Sequence, residues 1–212
     1  MKAQWIVLIV VGAILVLGLV VYVLMRKGPD LSSYLPLKEP RIVSKPAERV
    51  LEVRFDGPAD KVIPEAFAVL FKSYYRLRGV PKGPGMGAPK ARYAKESFGD
   101  DLSPKGLKSR DWKGSMAIPI PEGVAVPAPG AGAAGPVALE GRWEYGDTGE
   151  ILHLGSYETE KPAIDRLLAL AAEKGYEPIG GHEEEYLRGP GMGKVAPEDY
   201  WTIIRFRLRK TR

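Results

Sequence analysis

Candidates for chemistry in this chain of 212 residues are carboxylates, aromatic rings and two histidines, and there is no cysteine. The lack of cysteine removes disulfides, thiolate metal sites and thiol nucleophiles together. His153 and His182 are the only imidazoles, and neither lies on an expected helix with an Asp or Glu at ligand spacing. No metal site, cofactor or catalytic residue is therefore predicted. The run Gly189-Pro190-Gly191-Met192-Gly193-Lys194 is glycine-rich, but it lacks the Gly-Lys-Ser/Thr ending of a phosphate loop and does not join a strand to a helix. What remains is the segment Glu183-Glu184-Glu185-Tyr186 and a set of large aromatic residues that includes Trp112, Trp143, Tyr145 and Trp201.

The charge balance narrows the partners. The formal charge is +5, but Lys2, Arg26 and Lys27 flank an apolar run, and the rest of the chain carries 28 basic residues against 26 acidic ones. That is no nucleic-acid footprint, and no nucleic-acid partner is predicted. Lys72 to Lys113 is locally basic, with 11 Lys and Arg against four acids. Such a run reads as a solvated face, or as a surface turned toward anionic lipid headgroups.

The apolar run from Trp5 to Met25 is 21 residues without a charge. At about 1.5 Å per residue a helix of that length crosses the roughly 30 Å hydrocarbon core of a bilayer. A cleaved signal peptide would have a shorter apolar stretch and a small-residue cleavage site, whereas this run ends in Leu24-Met25-Arg26-Lys27. The expectation is a single-pass membrane protein anchored by residues 1–27, with the lipid bilayer as partner through residues 5–25. The basic pair Arg26-Lys27 tips the positive-inside balance toward a cytoplasmic C-terminal domain.

Residues 28–46 are rich in Pro, Ser and Lys and read as a juxtamembrane linker. A domain is expected over 47–212, as a first module at about 47–120, a Pro/Gly/Ala linker at 119–136 and a second module at about 137–210. In the first module, Leu51, Val53 and Phe55 alternate with Glu52 and Arg54 as in a half-buried strand. A helix follows, with Pro64 at its first position and Phe67, Leu70, Phe71 and Tyr74 at helical spacing. Gly79 to Lys113 reads as a loop, and Ser115 to Ile120 as a second strand. In the second module, Glu140–Tyr145 and Glu150–Leu154 read as a hairpin turning at Gly146-Asp147-Thr148-Gly149. A helix with Ile164, Leu167, Leu168 and Ala171 on one face comes next, then strands at Glu183–Leu187 and Tyr200–Leu208. Gly57 precedes Pro64 by seven residues and Gly155 precedes Pro162 by seven, a loose internal repeat of a βαββ pattern. The fold class is α+β.

The second module resembles the GyrI-like small-molecule-binding domains, the effector-binding domains of bacterial transcription activators. Four segments carry the resemblance: Gly155-Ser156-Tyr157-Glu158 with the helix after it, Gly175-Tyr176-Glu177-Pro178-Ile179-Gly180, Glu184-Glu185-Tyr186-Leu187, and Thr202-Ile203-Ile204-Arg205. The match runs from Trp143 to Leu208 and is fainter over Val50 to Ile120. It implies tandem βαββ modules about a pseudo-twofold axis, with helices on one face of the sheet and a ligand cleft on the other. It also implies that Glu184 lies in the cleft with Tyr186 beside it on the same strand face. Trp112, Trp143, Tyr145 and Trp201 are the aromatic candidates for the cleft wall, with core packing as their alternative role. The chain departs from the family at Glu185, where an apolar residue is usual, so the register of the acidic strand is open by one residue.

A carboxylate walled by rings suits a lipophilic or cationic ligand, since it supplies both countercharge and π faces. The resulting expectation is a membrane-tethered module that binds or senses a small amphiphilic molecule. The alternatives are an adaptor that docks a protein partner, and a hydrolase using Glu184 as general base, which would require a raised pKa there.

Overall fold

The computed structural model describes residues 30–95, 111–129, 135–190, 192 and 194–211. Eight strands and two α-helices are found among them: β1 (Arg41–Lys45), β2 (Glu48–Pro58), α1 (Ala59–Arg76), β3 (Lys90–Tyr93), β4 (Asp111–Pro119), β5 (Ala138–Trp143), β6 (Gly146–Leu154), α2 (Lys161–Glu173), β7 (Tyr176–Arg188) and β8 (Trp201–Lys210). The strands form one antiparallel sheet in the order β1-β6-β8-β7-β3-β4-β2-β5. Tyr34–Arg212 is one compact unit.

Local sequence explains the helices. In α1, Ala59, Ala66, Leu70 and Tyr74 are buried, a 3.6-residue stripe that packs on Leu51, Val53, Met116 and Ile118. The helix begins one turn earlier than Pro64 suggested, so Pro64 is its sixth residue. It is exposed there and forgoes one backbone bond close to an end where N–H groups lack partners anyway. In α2, Ile164, Leu167 and Ala171 pack on Ile151, Ile204 and Phe206. Both helices therefore lie on one side of the sheet. Gly57 and Gly155, which precede them at matching positions, both have positive φ, 142° and 123°. This is a conformation that a Cβ disfavours.

The strand pairing departs from the expected hairpin. β5 does not pair with β6; it edges β2, while β1 edges β6. Each half thus lends the strand that precedes it in sequence to the far edge of the other half. In Gly146-Asp147-Thr148-Gly149 only Gly146 has positive φ. Gly149 is a strand residue opposite Phe206, and a Cβ there would stand 3.0 Å from Leu167, so this glycine lets α2 approach the sheet. β1 lies within the stretch that reads as linker, and β3 within the Gly/Pro/Lys-rich loop. β3 is central: it pairs with both β4 and β7 and joins the halves. The spatial orders β2-β4-β3 and β6-β8-β7 repeat each other across that joint. Residues 120–129 form no helix or strand, yet Ile120 and Val124 are buried in the α1 core.

The expectation of a single-pass membrane location is corrected by the fold. Among the described residues no helix is long and apolar enough to cross a membrane. α1, the longest described helix, fails that requirement because its buried stripe faces the sheet while Asp60, Lys61, Glu65 and Lys72 on its outer side are exposed. The span expected at residues 5–25, with the anchor 1–27, lies outside the described residues.

Candidate functional site

The alternation of β7 divides its polar residues between two faces. His182, Glu184 and Tyr186 point to the side that carries the helices, while Glu183 and Glu185 point to the other. This resolves the register: Tyr186 Oη donates to Glu184 Oε2 at 2.8 Å, and Glu184 sits opposite Ala91 on β3 and Ile204 on β8. Ile204 packs under α2, so the carboxylate lies on the helix-bearing side and not on the opposite side that the resemblance implied.

Around Glu184 the side chains close a buried polar chamber. His182 Nε2 is 2.9 Å from Glu184 Oε1. Tyr93 Oη and Tyr186 Oη are 2.7 Å apart. Burial, reinforced by the charge of Glu184, holds both of these phenols well above the usual tyrosine range. Rings form the outer wall: Tyr157 and Phe67 lie 5.8 and 5.9 Å from Tyr186, and Tyr157 lies 5.3 Å from Tyr200. His153 is kept below its ordinary pKa, chiefly by burial, and its Nε2 donates to the Ser156 carbonyl at 2.9 Å. A cavity of about 200 Å³ lies mainly on the opposite face, where Arg92, Tyr145, Glu183 and Arg205 line it, and it reaches Tyr93 and His182 beside Gly180 and Gly181.

The deepest member is Glu160, the residue that precedes α2. An acid at that position ordinarily accepts the first helical N–H groups, but this one makes no cap bond. It is fully buried, and neither carboxylate oxygen has a hydrogen-bond partner among the described residues. Burial, with Glu184 adding a like charge, raises its pKa well above the ordinary carboxylate value of 4.5. A carboxyl group whose pKa is raised in the folded chain supports stability fully below its unfolded pKa, and that support is lost as pH rises through the folded value. Glu160→Gln removes the dependence. In urea unfolding between pH 4 and 8, the variant is expected to lose less stability with rising pH than the wild type. Superimposable pH profiles would mean that the carboxyl is solvated.

The six residues singled out from the sequence separate. Glu184 and Tyr186 are in direct contact, and Trp112 joins them through Tyr93, whose ring centroid is 5.1 Å away. Trp143 and Tyr145 lie on the other face. There Trp143 Nε1 donates to Glu52 Oε2 at 2.8 Å, Tyr145 Oη donates to Glu183 Oε1 at 3.0 Å, and the Arg92 guanidinium lies 4.2 and 4.7 Å from the two ring centroids. Trp201 shares that side by strand parity with Ile203. Glu160, His182, Tyr93 and Tyr157 were not singled out. The period-two pattern His182-x-Glu184-x-Tyr186 was the available signal for the histidine, and helical spacing was the wrong template for it.

That opposite face carries an ion-pair ladder. Arg205 binds Glu150 at 2.9 Å and Glu183 at 3.2 Å and also Glu185, while Arg92 binds Glu183 at 2.9 Å and Lys90 binds Glu48. Burial disfavours the Arg205 cation, but the carboxylates of Glu185, Glu183 and Glu150 outweigh it and hold its pKa above the ordinary arginine value.

No family model and no curated protein matches the chain. Solved structures do. A hydrolase encoded by lin2189 from Listeria innocua aligns with a TM-score of 0.65 at 19% identity, covering 85% of this chain and 96% of that one. The EcmrR C-terminal domain aligns with a TM-score of 0.53 at 16% identity, covering 81% and 98%. EcmrR in a complex with DNA aligns with a TM-score of 0.55 at 16% identity, covering 92% and 65%. At these identities the likeness is one of fold: a mixed α+β domain on an open eight-stranded antiparallel sheet, consistent with the GyrI-like fold.

Proposed function

We propose that the chain is a small-molecule-binding domain of the GyrI-like kind, and that its ligand carries positive charge into the chamber formed by Glu160, Glu184, Tyr93, Tyr157 and Tyr186. One observation carries the reading: two carboxyl groups are buried together among aromatic rings, and the oxygens of one have no hydrogen-bond partner among the described residues. Leaving a buried polar group unsatisfied costs about 1–3 kcal/mol. A ligand that supplies a donor and a countercharge relieves that cost, and the rings add cation–π attraction. The fold shared with the EcmrR C-terminal domain supports a binding role over a scaffold role.

The test is a thermal-shift titration of the full chain with lipophilic cations, tetraphenylphosphonium among them, and with neutral analogues of matched size. A cation at about 100 times its Kd stabilises the folded state by about 2.7 kcal/mol, which raises Tm by roughly 5–10 °C in a chain of this size. Glu184→Gln is expected to abolish the shift. Equal stabilisation by neutral analogues, or an unchanged shift in the variant, would rule out a charge-selective chamber.

One observation favours hydrolysis as a second reading. Glu160, whose pKa burial and the like charge of Glu184 raise well above the ordinary carboxylate value, lies beside Glu184, an arrangement in which one carboxyl can donate a proton and the other accept one. The structural likeness to a Listeria hydrolase points the same way. Turnover of an ester or activated-ring substrate that disappears in Glu160→Gln and in Glu184→Gln alike would establish it.

A further inference from the structure

The geometry points to a divalent transition-metal ion of the zinc class bound by Glu160, His182 and Glu184. The inference rests on the reading that this chamber takes positive charge, and it names the bearer of that charge. One donor atom from each of the three residues can be chosen so that all lie within 4.8 Å of one another, and all three residues are buried. Donors around a metal at bond lengths of about 2.0–2.2 Å stand roughly 3–4 Å apart, so side-chain adjustments of an ångström or less would close the set.

Unpartnered polar atoms support the assignment. Among the described residues both oxygens of Glu160 lack a hydrogen-bond partner while fully buried, and the group is turned inward from a position where capping α2 was available to it. Thr202, which pairs with Tyr186 on β7 and with His153 on β6, is also fully buried on the same side of the sheet, its hydroxyl without a partner among the described residues. It offers a polar neighbour for a water on the ion. Tyr186 Oη donates to Glu184 Oε2 and is itself held by Tyr93, which steadies the carboxylate. Partners of this kind fix the orientation of ligating groups. Donor chemistry selects the ion: one imidazole with two carboxylates suits zinc, cobalt or manganese, whereas calcium takes six to eight oxygens and magnesium keeps most of its waters.

The test uses the full chain after chelator treatment. Zn²⁺ and Co²⁺ are titrated by calorimetry and by visible absorption, with Mg²⁺ and Ca²⁺ as controls. The expected result is one Co²⁺ per chain with the visible bands of a low-coordinate site, displaced by Zn²⁺, and a thermal shift with Zn²⁺ but not with Mg²⁺ or Ca²⁺. Glu160→Gln keeps the shape of an unpartnered side chain, so it is expected to fold, and it should weaken binding at least 100-fold. His153→Gln, which removes the only other imidazole, should leave affinity within about 3-fold. Zn²⁺ affinity unchanged in Glu160→Gln would overturn the assignment, because the ion would then sit elsewhere. Stabilisation by organic cations with no metal binding would also overturn it while leaving the binding-domain reading intact, and failure of both classes would remove both.

Discussion

Arg205→Met is expected to destabilise the fold by about 3–5 kcal/mol, the range for removing one partner of a buried ion pair. The side chain is almost wholly buried and sits between three carboxylates from two strands, Glu150 on β6 and Glu183 and Glu185 on β7. Methionine replaces its volume but none of its charge. Glu150 retains Arg41, and Glu183 retains Arg92. Among the described residues Glu185 keeps only Lys90, at 3.8 Å, so it bears most of the loss. In equilibrium urea unfolding the midpoint should fall sharply, whereas Arg209→Met, which breaks an exposed pair with Glu177, should change stability by less than about 1 kcal/mol. If Arg205→Met came within 1 kcal/mol of wild type, the ladder would be a surface feature with no part in holding β6, β8 and β7 in register.

Gly181→Ala should be comparably damaging for a steric reason. A Cβ at this position would stand 1.7 Å from the Tyr93 carbonyl oxygen and 2.8 Å from its carbon. The obstacle is backbone of β3, so no side-chain rotation relieves the contact. Gly181 lies where β7 slips in register between Pro178 and His182, next to Gly180 at φ 80°. The irregularity brings β7 against β3 at the joint between the two halves of the sheet. Forcing the strands apart there should cost roughly 3 kcal/mol or more, at or beyond the upper end for overpacked sites. It should also perturb Tyr93 and His182 in the chamber. Gly85→Ala is the control, since its Cβ would meet only Pro81 at 3.6 Å. Thermal denaturation of the two variants side by side is decisive: equal melting temperatures would mean that the joint is loose enough to absorb a methyl group.

Much of the fold was legible because it is locally encoded. Leu70 and Tyr74, or Ile164, Leu167 and Ala171, recur at 3.6 residues whatever lies beneath them. Ile204, Phe206 and Leu208 alternate with arginines along β8 as a half-buried strand must. β3 was hidden for an opposite reason: Lys90 and Arg92 are charged where a central strand is expected to be apolar, and their place is made tolerable only by Glu48, Glu183 and Glu185 brought from other strands. β1 was hidden because five residues rich in polar side chains look like a linker until Glu150 is seen to anchor Arg41.

By itself, then, the sequence determined the two amphipathic helices, the glycine-led entries to them at Gly57 and Gly155, the alternation of β2 and β8, and the pairing of Glu184 with Tyr186 on one face. Each follows from the periodicity of a single element. Only the tertiary structure decided that β1 and β5 exchange edges between the halves. It alone placed Trp143 and Tyr145 across the sheet from Glu184, and it alone turned Glu160 from a helix cap into a buried carboxyl beside Glu184 and His182. Those outcomes depend on which strands become neighbours and which side of the sheet the helices cover. They are set by the mutual burial of residues far apart in the chain, which no local pattern records.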